Sequence, residues 1–227
     1  MARLISGLSS QRIRENAARV REQIDVARRR APQRAVDVPA RVELLAAIKY
    51  VAGDDLPLLA EAGIALVGEN RAQELAAKHA AHGELFEWDF IGQLQSRRVR
   101  EIVPYARLVH SVASESALRE LARHRERARP DLRILIEVNV AGERGKAGVA
   151  PERLGAFVAQ SPVPVAGLMT MPPLAAAAED SRRWFAALRA LADEHALEHL
   201  SMGTSQDYVV AVEEGATIVR IGTSLYD

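Results

Sequence analysis

From residue 43 onward the chain alternates between short apolar runs and longer amphipathic ones, and this alternation constrains its fold more than any other feature. Strand-like runs fall at 43–48, 64–68, 88–92, 108–112, 133–140, 163–169, 198–202 and 217–221. Helical patterns fill the intervals at about 54–62, 70–82, 95–102, 114–128, 151–160, 178–195 and 206–214, the last stopped by Gly215. Strict β–α alternation implies parallel strands, and eight of them imply a closed barrel. An open doubly wound sheet would carry a glycine fingerprint after its first strand, and Lys49-Tyr50-Val51-Ala52-Gly53 is not one. One more amphipathic helix comes first, over 9–30, with Ile13, Ala17, Val20, Ile24 and Ala27 at helical spacing. It makes the eighth helix and is placed to cover the seam between the last strand and the first. The expected fold is therefore α/β, a single (β/α)8 TIM-type barrel over 43–223. An additional N-terminal helix and a polar, Pro-containing connection occupy 1–41, and one domain takes in all 227 residues.

Composition narrows the chemistry. Thirty acidic and thirty basic residues cancel, which argues against a nucleic-acid or anionic-membrane footprint. With no cysteine in the chain, thiol catalysis, disulfides and thiolate metal sites are excluded. The six histidines show no metal spacing at a shared strand end, so no metal is expected. No apolar run approaches a membrane span and the N-terminus lacks a signal-peptide apolar region, so a cytoplasmic chain is expected. Without a long exposed apolar stripe, a monomer is expected. The basic residues are nearly all arginine, the only lysines being Lys49, Lys78 and Lys146. That makes a lysine at a strand end worth a chemical question, because lysine forms imines and arginine does not.

In a barrel the functional groups lie at the C-terminal ends of the strands, with phosphate commonly held after strands seven and eight. Those two ends read Ser201-Met202-Gly203-Thr204-Ser205 and Arg220-Ile221-Gly222-Thr223. Ser205 precedes a helix expected to begin near Gln206, so its amide and hydroxyl face an anion site. Gly222 admits a ligand close to the backbone, and Thr223 adds an amide and a hydroxyl. Taken singly, Ser205 is an N-cap and Gly222 a turn; taken together, at adjacent strand ends, they make a phosphate cradle. Closure sets strand eight beside strand one, so Lys49 should project next to Gly222 and Thr223. A lysine partly desolvated there is a better nucleophile. A lysine imine beside a phosphate cradle suits pyridoxal phosphate or an aldolase's sugar phosphate. Arg220 shares a strand face with Gly222 and could donate to a pyridine nitrogen; the alternative is a barrel arginine paired with Glu69 or Glu137. Asn70, at the end of strand two, is the preferred further cofactor contact, and Asn139, Lys146 and the Met169-Thr170-Met171-Pro172 stretch face the same mouth.

These segments, with Val67-Gly68-Glu69-Asn70-Arg71-Ala72-Gln73-Glu74 and Trp88-Asp89-Phe90-Ile91-Gly92-Gln93-Leu94-Gln95-Ser96, resemble the YggS/PROSC-type pyridoxal phosphate homeostasis proteins. The match runs in the family's order from about residue 44 to 226. The resemblance implies a barrel like the N-terminal domain of alanine racemases, with pyridoxal 5'-phosphate bound as an imine on Lys49. It implies phosphate contacts from Ser201, Ser205, Gly222 and Thr223 and a ring-nitrogen contact from Arg220. It implies a protein that buffers or delivers the cofactor, to PLP-dependent apo-enzymes among others, without robust catalysis. Racemisation needs an acid/base group on each face of the substrate carbon, and alanine racemases supply the second, a tyrosine, from a further domain that is not expected here. A weak amino-acid racemase is the alternative, and a lysine aldolase a more distant one. Two departures stand out. The family usually has His at the place of Asp89, here expected to be an outer position remote from the cofactor. The chain also stops four residues after Thr223, so the seam below strand eight is expected to be slightly open.

Overall fold

The computed structural model describes residues 4–34 and 39–227. Part of the Pro-containing connection expected over 31–41 therefore lies outside the described residues. Eight parallel strands, β1 (Glu43–Ala47), β2 (Leu66–Glu69), β3 (Glu87–Phe90), β4 (Leu108–Val112), β5 (Arg133–Glu137), β6 (Val165–Met169), β7 (His199–Thr204) and β8 (Ile218–Ile221), close in sequence order into a barrel. After α1 (Ser10–Arg28), the strands are linked by α2 (Leu56–Glu61), α3 (Ala72–His82), α4 (Val99–Ile102), α5 (Glu115–Arg123), α6 (Leu154–Ala159), α7 (Arg182–Glu194) and α8 (Tyr208–Glu213). The four-residue α9 (Thr223–Tyr226) follows β8.

The expected seam opening does not occur. Glu43 to Ala46 pair with Ile218 to Ile221 in unbroken register. Helix α1 buries Ile13, Asn16, Ala17, Val20, Ile24 and Ala27 on one stripe and packs against α2, α8 and α9. Asn16 Nδ2 donates to the carbonyls of Leu225 at 3.0 Å and Asp227 at 2.9 Å, so the helix ties down the end of the chain. Truncating a fully buried member of that stripe such as Ile13 to Ala would cost about 2–5 kcal/mol.

Two apolar clusters follow from the period-two alternation of strand side chains. Leu45, Leu66, Leu108, Leu135, Met169 and Ile218 belong to one cluster inside the barrel. The neighbouring residues on each strand, among them Ala46, Val67, Val109, Ile134 and Val219, pack with the helices in the larger outer shell. His110 and Arg220 sit two residues after Leu108 and Ile218, Asp89 sits two before Ile91, which packs against the same cluster, and Ser201 bonds to His110 and Arg220; all four are buried. Asp89 is therefore interior, not outer. Its flanking residue Trp88 packs outward against Phe86 and His79.

Candidate cofactor site

The rim where β7, β8 and β1 meet is shaped by a bulge. Between β7 and β8 the register steps from Ser201↔Ile218 to Thr204↔Arg220, so β7 carries one extra residue. Gly203 absorbs it at φ +90°. A Cβ there would lie 2.6 Å from Ala211 Cβ and 2.9 Å from Tyr208 Cα, so no other residue fits without displacement. Asp207 accepts from the Thr204 amide at 2.8 Å and its hydroxyl at 3.1 Å, and α8 starts only at Tyr208. Ser205 is thus not the N-cap. Its Oγ instead accepts from the amides of Gly222 at 3.1 Å and Ser224 at 3.3 Å. Two backbone N–H groups converging on one hydroxyl at a strand end form a small donor cradle. Thr223, exposed, opens the α9 turn beside it.

Across the seam, a Cβ on Gly222 would be 3.9 Å from Ala47 Cβ, which brings the cradle to the end of β1. Lys49 follows two residues later. It is exposed, with Nζ 4.7 Å from the centroid of the Tyr50 ring, so the expected partial desolvation is not met. The backbone before it is firmly held: Ile48 donates to Gly68 O, and its carbonyl accepts from Lys78 Nζ at 2.9 Å. Lys78 reaches in from α3 and also bonds Glu69 Oε2 at 2.7 Å; both side chains are buried. Glu69 Oε1 accepts from the amides of Asn70 at 2.7 Å and Arg71 at 3.3 Å. The sequence reading missed Lys78. It lies three residues past Leu75 on the buried stripe of α3, and that spacing was the available signal. Asn70 Oδ1 is buried with no hydrogen-bond partner. An orphaned buried acceptor costs about 1–3 kcal/mol, so this one invites a donor from a ligand.

Arg220 is buried beneath the cradle and does not pair with Glu69 or Glu137. Its Nη1 donates to Ser201 Oγ, and its Nη2 to Thr170 O at 3.0 Å, with Met171 Sδ 2.9 Å away. Burial lowers its pKa to about 10, against the partial support of Asp207 and Glu137. Ser201 is fully buried and its hydroxyl also meets His110 Nδ1 at 2.9 Å. The structure therefore sets Ser201 below the cradle, in contact with Arg220. On the far side of the mouth, Asn139 closes the loop after β5 through two hydrogen bonds with Glu143, which also pairs with Lys146. This loop ends β5 at Glu137, three residues earlier than expected. Burial pushes the Glu137 carboxyl up, with Arg220 and Lys146 opposing.

The sequence model described as "Alanine racemase, N-terminal domain" matches residues 8–227. A "Pyridoxal phosphate homeostasis protein" of Aquifex aeolicus is 40% identical over 223 residues, covering 93% of this chain and 96% of that one. Its counterpart of the same name in Pseudomonas aeruginosa is 39% identical, covering 94% of each. The chain belongs to this family. Among solved structures, the family member PipY of Synechococcus elongatus with PLP bound is 31% identical, with a TM-score of 0.78 over 95% of this chain and all of that one. Alanine racemase of Corynebacterium glutamicum, at 14% identity and a TM-score of 0.65, shares the barrel fold and extends well beyond it, this chain spanning 61% of it.

The site's own groups fit the cofactor of that relative. Converging amides suit a phosphate, the orphaned Asn70 acceptor suits a donor, and the primary amine of Lys49 stands on the same rim. Arg220, whose three partners are all uncharged, suits a neutral nitrogen. No helix among the described residues is long and apolar enough to cross a membrane.

Proposed function

We propose that this protein binds pyridoxal 5'-phosphate through Lys49 and holds it in reserve within the cytoplasm as a monomer, for PLP-dependent apo-enzymes, without turnover. When bound, the cofactor supplies an aldehyde with which a lysine amine condenses, releasing water. Ser205, Gly222 and Thr223 would hold its phosphate, Asn70 would receive a donor from it, and Arg220 would face the ring nitrogen. The observation that carries the reading is that the amides of Gly222 and Ser224 converge at Ser205 beside the end of β1.

The reading as a reservoir, not a catalyst, is supported by the tyrosines. Tyr226 is buried and its hydroxyl donates to Ala47 O at 3.3 Å, and burial raises its pKa. Tyr50 lies exposed under the Lys49 ammonium. Neither is a free acid or base opposite Lys49. The observation that favours a second reading, weak racemisation, is Glu137, a carboxyl at the mouth biased by burial toward its protonated form.

The test is the absorption spectrum of the protein and of Lys49→Ala after incubation with pyridoxal phosphate, followed by borohydride reduction and peptide mass analysis. A yellow band lost in the variant, with a pyridoxyl group fixed on Lys49, supports the reading. A colourless protein with no covalent adduct overturns it. Exchange of an amino acid's α-proton in deuterated water, dependent on Glu137, would favour the racemase.

A further inference from the structure

A buried polar chain crosses the barrel interior and ends at Arg220. Arg107, at the foot of β4, makes paired hydrogen bonds to Glu43 at 2.8 and 2.9 Å and to Asp89 at 3.0 and 2.9 Å. Asp89 Oδ2 meets His110 Nε2 at 3.1 Å, His110 Nδ1 meets Ser201 Oγ at 2.9 Å, and Ser201 Oγ meets Arg220 Nη1. Asp89 and His110 are fully buried and contribute nothing to the rim.

The direction of every proton in this chain follows from its partners. Burial disfavours the Asp89 carboxylate, but the hydrogen bonds from His110 and Arg107 outweigh it and keep the group ionised. An ionised carboxylate only accepts, so His110 donates from Nε2. Burial, with the nearby Arg220 and Arg107, lowers the pKa of His110 despite Asp89, so the ring is neutral and its Nδ1 accepts. Ser201 must then give its only proton to His110. What its oxygen presents to Arg220 is a lone pair.

We propose that Asp89 and His110 are positioning residues that act through Ser201 to hold the Arg220 guanidinium against a neutral nitrogen acceptor at the mouth. This rests on the reading of the site as a pyridoxal phosphate site, in which that acceptor is the ring nitrogen. It assigns a role to Asp89, which the sequence alone places on the outside of the barrel, remote from the cofactor.

The experiment compares the affinity of the full chain for pyridoxal phosphate and for an analogue with carbon in place of the ring nitrogen, in wild type, His110→Leu and Ser201→Ala. Wild type should prefer the natural cofactor by about tenfold, the scale of one hydrogen bond to a charged group. His110→Leu should reduce that preference to about twofold or less while leaving the analogue's affinity unchanged, which a general loosening of the barrel would not do. Ser201→Ala removes one hydroxyl and gives the same test if His110→Leu does not fold; its preference should fall likewise. Parallel loss of both ligands in the variants overturns the proposal, and for Ser201 would return it to the phosphate cradle. An undiminished preference overturns it too, as does a wild type that binds both ligands equally. A wild type that binds neither overturns the underlying functional reading instead.

Discussion

Lys78 Nζ lies 2.7 Å from Glu69 Oε2 and 2.9 Å from the carbonyl of Ile48, so one helical lysine fastens the ends of β1 and β2 just ahead of Lys49 and Asn70. Removing one member of such a pair leaves the other charge buried without compensation. Lys78→Met should therefore cost about 3–5 kcal/mol in denaturant unfolding. Adding Glu69→Gln should recover part of the loss. A single variant as stable as wild type would show that the pair is not buried in solution.

Gly203 is the second structural requirement of the site. Gly203→Ala must strain a backbone at φ +90° and displace Ala211 or Tyr208. A destabilisation of about 1–3 kcal/mol is expected from overpacking alone. Because Ser205 follows the bulge, cofactor affinity should fall as well, by more than a comparable overpacking substitution far from β7 produces. Equilibrium dialysis alongside thermal unfolding separates the two effects.

Asn70 should show stability and binding moving in opposite directions. Asn70→Ala deletes a buried acceptor that has no hydrogen-bond partner within the protein. The apo-protein should unfold at the same or higher temperature, with a gain of up to about 1–3 kcal/mol. Pyridoxal phosphate should bind at least several-fold more weakly. A drop in both quantities would mean that Asn70 Oδ1 is satisfied in solution and serves the fold.

Stability should depend on pH through two histidines and, with opposite sign, one carboxyl. Burial lowers the pKa of His110, so its contribution is full above the unfolded value near 6.5 and is lost as pH falls through the folded one. His199 is lowered in the same direction, also by burial. Unfolding midpoints measured from pH 8 down to pH 5 should fall, and more gently in His110→Leu. Glu137 acts in reverse, since burial raises its pKa: its contribution is present at low pH and lost as pH rises through the folded value. Glu137→Gln should thus stabilise the protein most at neutral pH, with the gain shrinking toward pH 4.

The barrel was legible because alternation and strand count define it, and the approach of Gly222 to Ala47, two residues before Lys49, follows from closure alone. Helix ends were less so. Tight single turns at Ser96–Arg98, Arg125–Arg127 and Ala178–Ser181 continue the helical pattern without α geometry. Asp89 was misplaced for a physical reason. Trp88-Asp89-Phe90 looks like a half-exposed strand with its polar residue outward, but in a barrel the apolar face packs beneath the helices and the polar residue turns inward. Lys78 escaped notice because its carboxylate partner, Glu69, lies on another element.

The pairing of Glu43 with Ile218 and Ala46 with Ile221 has a consequence for when the protein becomes competent. The amine and the cradle lie more than 150 residues apart along the chain, so no early-folding segment contains both. Contacts between such distant segments form late and slowly. A ribosome must have released nearly all of the polypeptide before a cofactor can find the place where both ends meet. Acquisition of the yellow chromophore would then act as a clock for completed folding, later than the appearance of helical signal and coincident with closure of the seam.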